Sequence, residues 1–501
     1  MQVKVEAGDI TKTEAPCVVV SLFEGVTSPA GGTGAMDRAL AGMISELIAS
    51  GDIRGKAGEF TLIHTFGKLP SPRVLVAGLG KSAEFNIDKV RDLGASIARY
   101  MRGKRIEGFA TITHGAGIAG LDSAACAQAL VEGAIMGLYK FDRHKKADED
   151  AFTVDSMTIV EHESAKVAVL KTSAERGAII ADAVNFARDL GNEPGNVLTP
   201  TEFASRAEQM AQDAGLGCKI LDRAKAEEMG MGAFLGVARG SEQPPMFIVL
   251  TYAGGGDAKP VGLVGKGITF DTGGISLKPS DSMLEMKGDM SGGGAVIATM
   301  MAIAKLKPHI NVTALVPATE NMPGGNATKP TDVLRAMNGK TIEVINTDAE
   351  GRLILADALC YALQLDLTPL IDVATLTGAI SIALGNVAYG VFSNSDALTE
   401  RIRDAASAGG EKCWPFPMYA EYKELNKSQV ADVRNSGGRG AGSIAAAMFL
   451  KEFVDDRPWA HLDIAGVDFY DTEKGPIVKG ASGIPVRSLI NVVLSLAEKP
   501  L

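Results

Sequence analysis

The chain has 501 residues, 46% of them hydrophobic and 22% charged, the balance of a folded globular protein and not of a disordered one. A net charge of −10 argues against a surface built wholly for polyanions. Five dispersed cysteines with no C-x-x-C pair argue against a disulfide framework or a cysteine-rich zinc site, and they fit a reducing compartment. The start, Met1-Gln2-Val3-Lys4-Val5-Glu6, lacks the basic-then-apolar pattern of a secretory signal. No apolar run approaches the roughly 18 residues that span a bilayer. The expectation is a soluble cytoplasmic protein.

In chain order, Cys17 to Phe23 and Arg73 to Leu79 are short apolar runs that read as buried strands. Asp88 to Met101 and Ser123 to Tyr139 carry apolar residues at helical spacing, so this part reads as alternating βα units with a largely parallel sheet. Charge gathers at Asp142 to Asp150, read as a surface segment near a domain boundary, with a solvated loop inside one domain as the alternative. A long helical pattern over Ser173 to Leu190 stops at the turn signal Gly191-Asn192-Glu193-Pro194-Gly195-Asn196. Beyond it, Met246 to Thr251, Val261 to Val264, Asn311 to Val316 and Leu370 to Ala374 read as strands. Gly294 to Leu306 and Arg352 to Gln364 read as helices. The expected organisation is two α/β domains: a smaller N-terminal one over 1–165, a connecting helix over 166–190, and a larger one with a mixed central sheet over 191–501.

Several motifs fail on inspection. Gly78-Leu79-Gly80-Lys81-Ser82 ends like a phosphate-binding loop, but the required glycine five positions before Gly80 is Leu75, so a strand-ending turn is the better reading. No serine sits in a G-x-S-x-G frame, and the six histidines include no H-E-x-x-H pair. Gly230, Gly232 and Gly236 follow no strand, which favours a packing or turn role.

The chemistry concentrates in two glycine-rich stretches, Val264 to Met290 and Ile345 to Leu353. Both are expected beyond strand ends, where open α/β sheets bind ligands. Asp348 and Glu350 lie two apart, so an extended segment would send both side chains to one face. Asp289 precedes a helix start, where positive backbone ends gather. Together with Asp271 these acids form an oxygen-rich set without histidine, suited to one or more divalent cations. Separate turn acids are the alternative for any one of them alone.

N-T-D-A-E-G-R-L at 346–353, with V-G-K-G-I-T-F-D-T-G-G at 264–274, closely resembles the leucyl aminopeptidase (cytosol aminopeptidase) family of dinuclear metallopeptidases. The resemblance runs through Asn192-Glu193-Pro194-Gly195-Asn196 and His461 to Gly466, and on to Gly483-Ile484-Pro485-Val486-Arg487. It implies a metal-dependent aminopeptidase that removes leucine and other N-terminal residues from peptides by means of a water activated by two metals. The tighter metal position would be held by Lys266, Asp271, Asp289 and Glu350, and the more exchangeable one by Asp271, Asp348 and Glu350. Lys278 and Arg352 match the two catalytic positions that do not ligate metal. Zn²⁺ is the usual ion, with Mn²⁺ or Mg²⁺ accepted at the exchangeable position. A bicarbonate ion on Arg352 would act as general base, and the assembly would be a homohexamer, a dimer of trimers. A lysine ligand must be neutral against a reference pKa of about 10.4, so Lys266 can lose its proton only beside divalent charge.

The resemblance also implies that Met286, Thr375, Leu376, Gly378 and Ala465 line the site for the first side chain and that Asn346 contacts the substrate backbone. Asp468 stands where some relatives carry an apolar residue, which predicts tolerance of polar or basic first residues. Ser482, where threonine is frequent in relatives, is a mild change in a closing turn. Two other classes of function stay open at this stage. One is a regulatory or DNA-binding role on the same scaffold, for which the sequence offers no support of its own. The other is two-metal phosphoryl chemistry, which also uses acidic ligands.

Overall fold

The computed structural model describes residues 1–117, 120–146 and 150–501. Ala147, Asp148 and Glu149 of the charged run at 142–150 therefore lie outside the described residues. The chain divides into two compact units, Met1–Asp182 with Thr472–Val478, and Ala183–Asp471 with Lys479–Leu501.

The strands of the first unit are β1 (Gln2–Ala7), β2 (Val18–Leu22), β3 (Phe60–His64), β4 (Arg73–Gly78), β5 (Gly108–Thr111) and β6 (Ser156–Glu161). They form one sheet in the order β1-β6-β5-β2-β4-β3. Every pair is parallel except the edge hairpin of β3 with β4. Buried β-branched runs such as Val18-Val19-Val20 suit strands covered on both faces. The helices Ile87–Gly103 and Ser123–Gly137 start where Asn86 and Asp122 accept backbone N–H groups at 3.1 and 2.8 Å. The segment Thr472–Val478 joins this unit through Arg99, whose guanidinium donates to the carbonyls of Gly475 and Ile477 at 2.7 and 2.9 Å.

The helix Ser164–Asn192 runs through the boundary between units. It begins nine residues before the expected start at Ser173; within 164–172 only Leu170 is buried, and the other apolar residues there, Val169 among them, stay at least partly exposed.

In the second unit the strands are β7 (Gly217–Leu221), β8 (Met246–Ala253), β9 (Val261–Gly265), β10 (Gly267–Asp271), β11 (Asn311–Asn321), β12 (Val333–Arg335) and β13 (Thr341–Glu343). There follow β14 (Leu370–Ala374), β15 (Tyr389–Ser393), β16 (Cys413–Pro415), β17 (Val433–Arg434), β18 (Trp459–Asp463), β19 (Phe469–Tyr470) and β20 (Gly480–Ala481). The main sheet has the order β16-β15-β18-β14-β9-β11-β8-β7, with β10 beside β11. It is mixed, as expected: β18, β14, β9 and β11 are mutually parallel, β8 runs against both of its neighbours, and β15 runs against β18 but parallel to β16. Its core includes Phe247, Leu315, Leu355, Leu370 and Trp459. Gly232 and Gly236 lie in the short helix Gly232–Ala238, packed on Leu334 and Arg335 of β12. No helix among the described residues is long and apolar enough to cross a membrane.

Candidate metal centre

The carboxyl ends of the parallel strands bring the acidic stretches together. Lys266 follows the last residue of β9, Asp271 closes β10, and Thr375 follows β14. Past Asp271 the chain must turn back at once. Gly273, at φ +85°, supplies the left-handed conformation for that turn, and its N–H donates to Asp271 Oδ1 at 2.8 Å. Asp289 sits between a short 3₁₀ turn (Met286–Gly288) and the helix Ser291–Leu306.

The segment with Asp348 and Glu350 is not extended. Thr347 and Asp348 form a turn in which Asp348 N–H donates to Asn346 Oδ1 at 3.0 Å, and Glu350 is already helical, at the N-cap of Gly351–Gln364. The two carboxylates converge through a turn leading into a helix, and strand alternation plays no part.

At the centre, Lys266 Nζ lies 2.8 Å from Asp289 Oδ1 and 2.9 Å from Glu350 Oε1, and it donates to the Thr375 carbonyl at 3.0 Å. Lys278 Nζ lies 2.8 Å from Asp271 Oδ2 and 2.5 Å from Asp348 Oδ1. Gly351 permits the first arrangement, since a Cβ there would fall 2.7 Å from Lys266 Cε. Burial alone would lower the Lys266 pKa, but the carboxylates of Asp289, Glu350 and Asp271 outweigh it and hold the value above that of an ordinary lysine. The same balance raises Lys278. Burial and mutual repulsion raise the carboxyls of Asp289 and Glu350 against the pull of Lys266, and burial raises Asp348. Arg352 falls to about 10 through burial, its Nη1 donating to the Asn435 carbonyl at 2.6 Å and its Nε without a partner among the described residues.

This donor set fits a divalent cation. Asp271, Asp348 and Glu350 each offer an oxygen within 4.8 Å of the others. Asp289 Oδ2 is buried with no hydrogen-bond partner among the described residues, a costly state unless a cation completes it. Hard carboxylate oxygens without histidine or thiolate suit such ions.

A cavity of about 670 Å³ opens on these groups. Its wall includes Lys266, Asp271, Lys278, Asp289, Asp348, Glu350 and Arg352, and also Met286, Asn346, Thr375, Leu376, Gly378 and Ala465. Each residue expected from the sequence to hold metal, to act in catalysis or to contact substrate therefore borders one space. Three supporting residues escaped the sequence reading. Asn321, at the end of β11, donates to Asp271 Oδ1 at 2.7 Å and to the Thr347 carbonyl at 3.1 Å. Asn435 holds the turn at Asn346, donating to its carbonyl at 2.7 Å and accepting from the Ile345 N–H at 2.8 Å. Asp463 accepts from the Leu376 N–H at 3.0 Å and the Thr377 hydroxyl at 2.6 Å, joining the loops after β14 and β18. Only their place at strand and loop ends, known once the sheet is assembled, distinguishes them from other asparagines and aspartates.

Comparison with known proteins agrees with this geometry. The catalytic-domain pattern of the cytosol aminopeptidase family matches residues 185–490, and the family's N-terminal-domain pattern matches residues 19–148. The chain is 43% identical to the probable cytosol aminopeptidase of Alkaliphilus metalliredigens (strain QYMF), covering 99% of this chain and 100% of that protein. It is 45% identical to that of Solibacter usitatus (strain Ellin6076), covering 99% of both. Among solved structures, the bottromycin maturation enzyme BotP in complex with Mn superimposes with a TM-score of 0.84 at 33% identity, over 96% of this chain and 100% of that one. With both family domains matched in order along its length, the chain belongs to the cytosol aminopeptidase family and is a metal-dependent aminopeptidase, a hydrolase acting on peptides.

Proposed function

We propose that Lys266, Asp271, Asp289, Asp348 and Glu350 hold two divalent cations, zinc or manganese with magnesium as a further candidate, and that the enzyme removes leucine and other N-terminal residues from peptides. The observation that carries this reading is the convergence of four carboxylates and Lys266, from two strand ends and two helix starts, on one cavity. When bound, such ions acidify a water and polarise the scissile carbonyl. Lys266 Nζ can ligate a metal only on losing its proton, which the surrounding acids resist until another positive charge takes its place. Lys278, with a side chain 17% exposed at the cavity wall, balances negative charge as it develops on the carbonyl oxygen.

Arg352 presents a planar fork to the cavity and has donor capacity left over. That suits a small planar anion such as bicarbonate, placed to accept the proton of the attacking water. Met286, Thr375, Leu376, Gly378 and Ala465 enclose the first side chain, and Asn346 holds the substrate backbone. On this reading the catalytic residues all fall within 191–501, with 1–165 as a separate N-terminal domain and 166–190 as the connector. A homohexamer, a dimer of trimers, and a cytoplasmic location complete the proposal. The family resemblance supports the assembly, and the relatives' name supports the location.

Metal content per chain, measured alongside hydrolysis of leucinamide, tests the core of it. Two ions per chain and turnover lost to a strong chelator are expected. Metal-replete protein that leaves leucinamide and short peptides intact would overturn it.

A further inference from the structure

The cavity wall has two electrostatic halves. Asp271, Asp289, Asp348 and Glu350 each face a lysine within 2.9 Å. Glu285, Asp468 and Asp471 border the same cavity, yet among the described residues none of the three has a lysine or arginine within ion-pair distance. Asp468 is the one set into the wall. It lies just past β18, beside Phe469, and an atom added at Gly288 would meet its Oδ2 at 3.5 Å. Among the described residues its carboxylate is served only by backbone N–H groups, its own and that of Gly466, the latter reaching Oδ1 at a long 3.3 Å.

We propose that Asp468 makes this aminopeptidase favour peptides whose first residue is cationic, lysine or arginine. The inference rests on the reading of this cavity as the place where the first side chain lies. A half-buried carboxylate without a counter-charge is costly, and a partner that brings one is bound in preference to a partner that does not. Burial, reinforced by the charge of Glu285, pushes the Asp468 carboxyl up to about 6, so at neutral pH it is ionised and under-compensated. Met286, Ala465 and Phe469 border the same space and suit the methylene stem of a long basic side chain, whose charged end reaches the acid. Glu285 and Asp471, both exposed, extend the negative field outward and draw basic N-termini toward the mouth.

The competing view is that Asp468 only braces its loop. Its carbonyl accepts the Ser482 N–H at 2.7 Å, a main-chain bond that any substitution keeps. The two views part on selectivity. The metal-loaded wild type, Asp468→Asn and Asp468→Met are compared by kcat/KM on arginine, lysine, leucine and methionine p-nitroanilides. Asparagine retains an acceptor for Gly466, so it removes the charge and little else. The arginine-to-leucine ratio is expected to fall about tenfold or more in both variants. A ratio that moves less than about twofold, or equal losses on all four substrates, would overturn the proposal. If the wild type cleaves none of the four, the reading of the site as an aminopeptidase centre fails. Calorimetric titration with argininamide and leucinamide then decides the role of Asp468 separately: preferential weakening of argininamide in the variants supports it, and identical affinities sink it.

Discussion

Asn435 and Arg352 are tied by a 2.6 Å hydrogen bond from the guanidinium to the Asn435 carbonyl, while the Asn435 side chain pins the turn that carries Asp348. One buried residue thus sets both the proposed anion holder and a proposed metal ligand. Asn435→Ala keeps the carbonyl and deletes the side-chain bonds. Its kcat/KM on leucinamide should drop about 10- to 100-fold through misplacement of the turn. The melting temperature should fall by a few degrees, consistent with about 1–3 kcal/mol for buried groups left unpaired. Unaltered kinetics would show that the turn holds itself.

Asp348→Ala removes one of the three oxygens that lie within 4.8 Å of one another. Activity should fall by about three orders of magnitude or more, and bound metal should fall below the wild-type amount. Dialysis of the wild type against a strong chelator should abolish hydrolysis and lower the melting temperature, since the crowded acids then lack their bound partner. Added Mn²⁺ should restore both. Elemental analysis and thermal scans on the same samples check the pair of effects.

Gly351→Ala tests the closeness of the helix start to Lys266. A Cβ there would fall 2.8 Å from Lys266 Nζ, and that side chain is pinned between Asp289 and Glu350. The expected result is a loss of at least about tenfold in kcat/KM with weaker metal retention. Far-UV circular dichroism should stay that of the wild type.

The first unit has its own acid sensitivity. His114 is buried, with Nε2 2.7 Å from the Thr111 hydroxyl and Nδ1 2.9 Å from that of Ser21. Burial lowers its pKa from 6.5 to about 4. The folded chain therefore binds fewer protons than the unfolded one across that window. The neutral ring's contribution is complete above pH 6.5 and is lost as pH falls toward 4, an effect of at most about 3 kcal/mol. His114→Gln should be less stable than the wild type at pH 7, and the gap should close on acidification. Parallel stability curves for the two proteins would refute this, since the carboxylates they share cancel in the difference.

Most of the centre was legible because its residues are packed into short runs. Asn346, Asp348, Glu350 and Arg352 fall within seven positions, and Lys266 to Lys278 within thirteen. The parallel core strands were legible for a related reason: both faces are covered, so they read as unbroken apolar runs. Asn321 and Asn435 stayed hidden because each acts across a long loop, on Asp271 fifty residues away and on Ile345 ninety residues away. Local pattern carries no trace of such pairings, which appear only once β11 and the turn after β17 are placed. The turn at Thr347-Asp348 was misread as extended because its partners, the Asn346 side chain and Asn435, act only in the folded chain. The long helix was entered late because Val167 to Leu170 form one unbroken apolar run of which only Leu170 is buried, so no helical spacing stands out there.

The segment Thr472–Val478, held by Arg99, belongs to the first unit although residues 183–471 separate it from the rest of that unit. Translation from the amino terminus therefore leaves the first unit one strap short until the main body of the second has been made. Domain-by-domain maturation, the usual course for a chain of this size, is closed off at that step. A fragment ending at Asp182 would carry the vacancy permanently, so gene truncation is a poor way to obtain the amino-terminal unit alone.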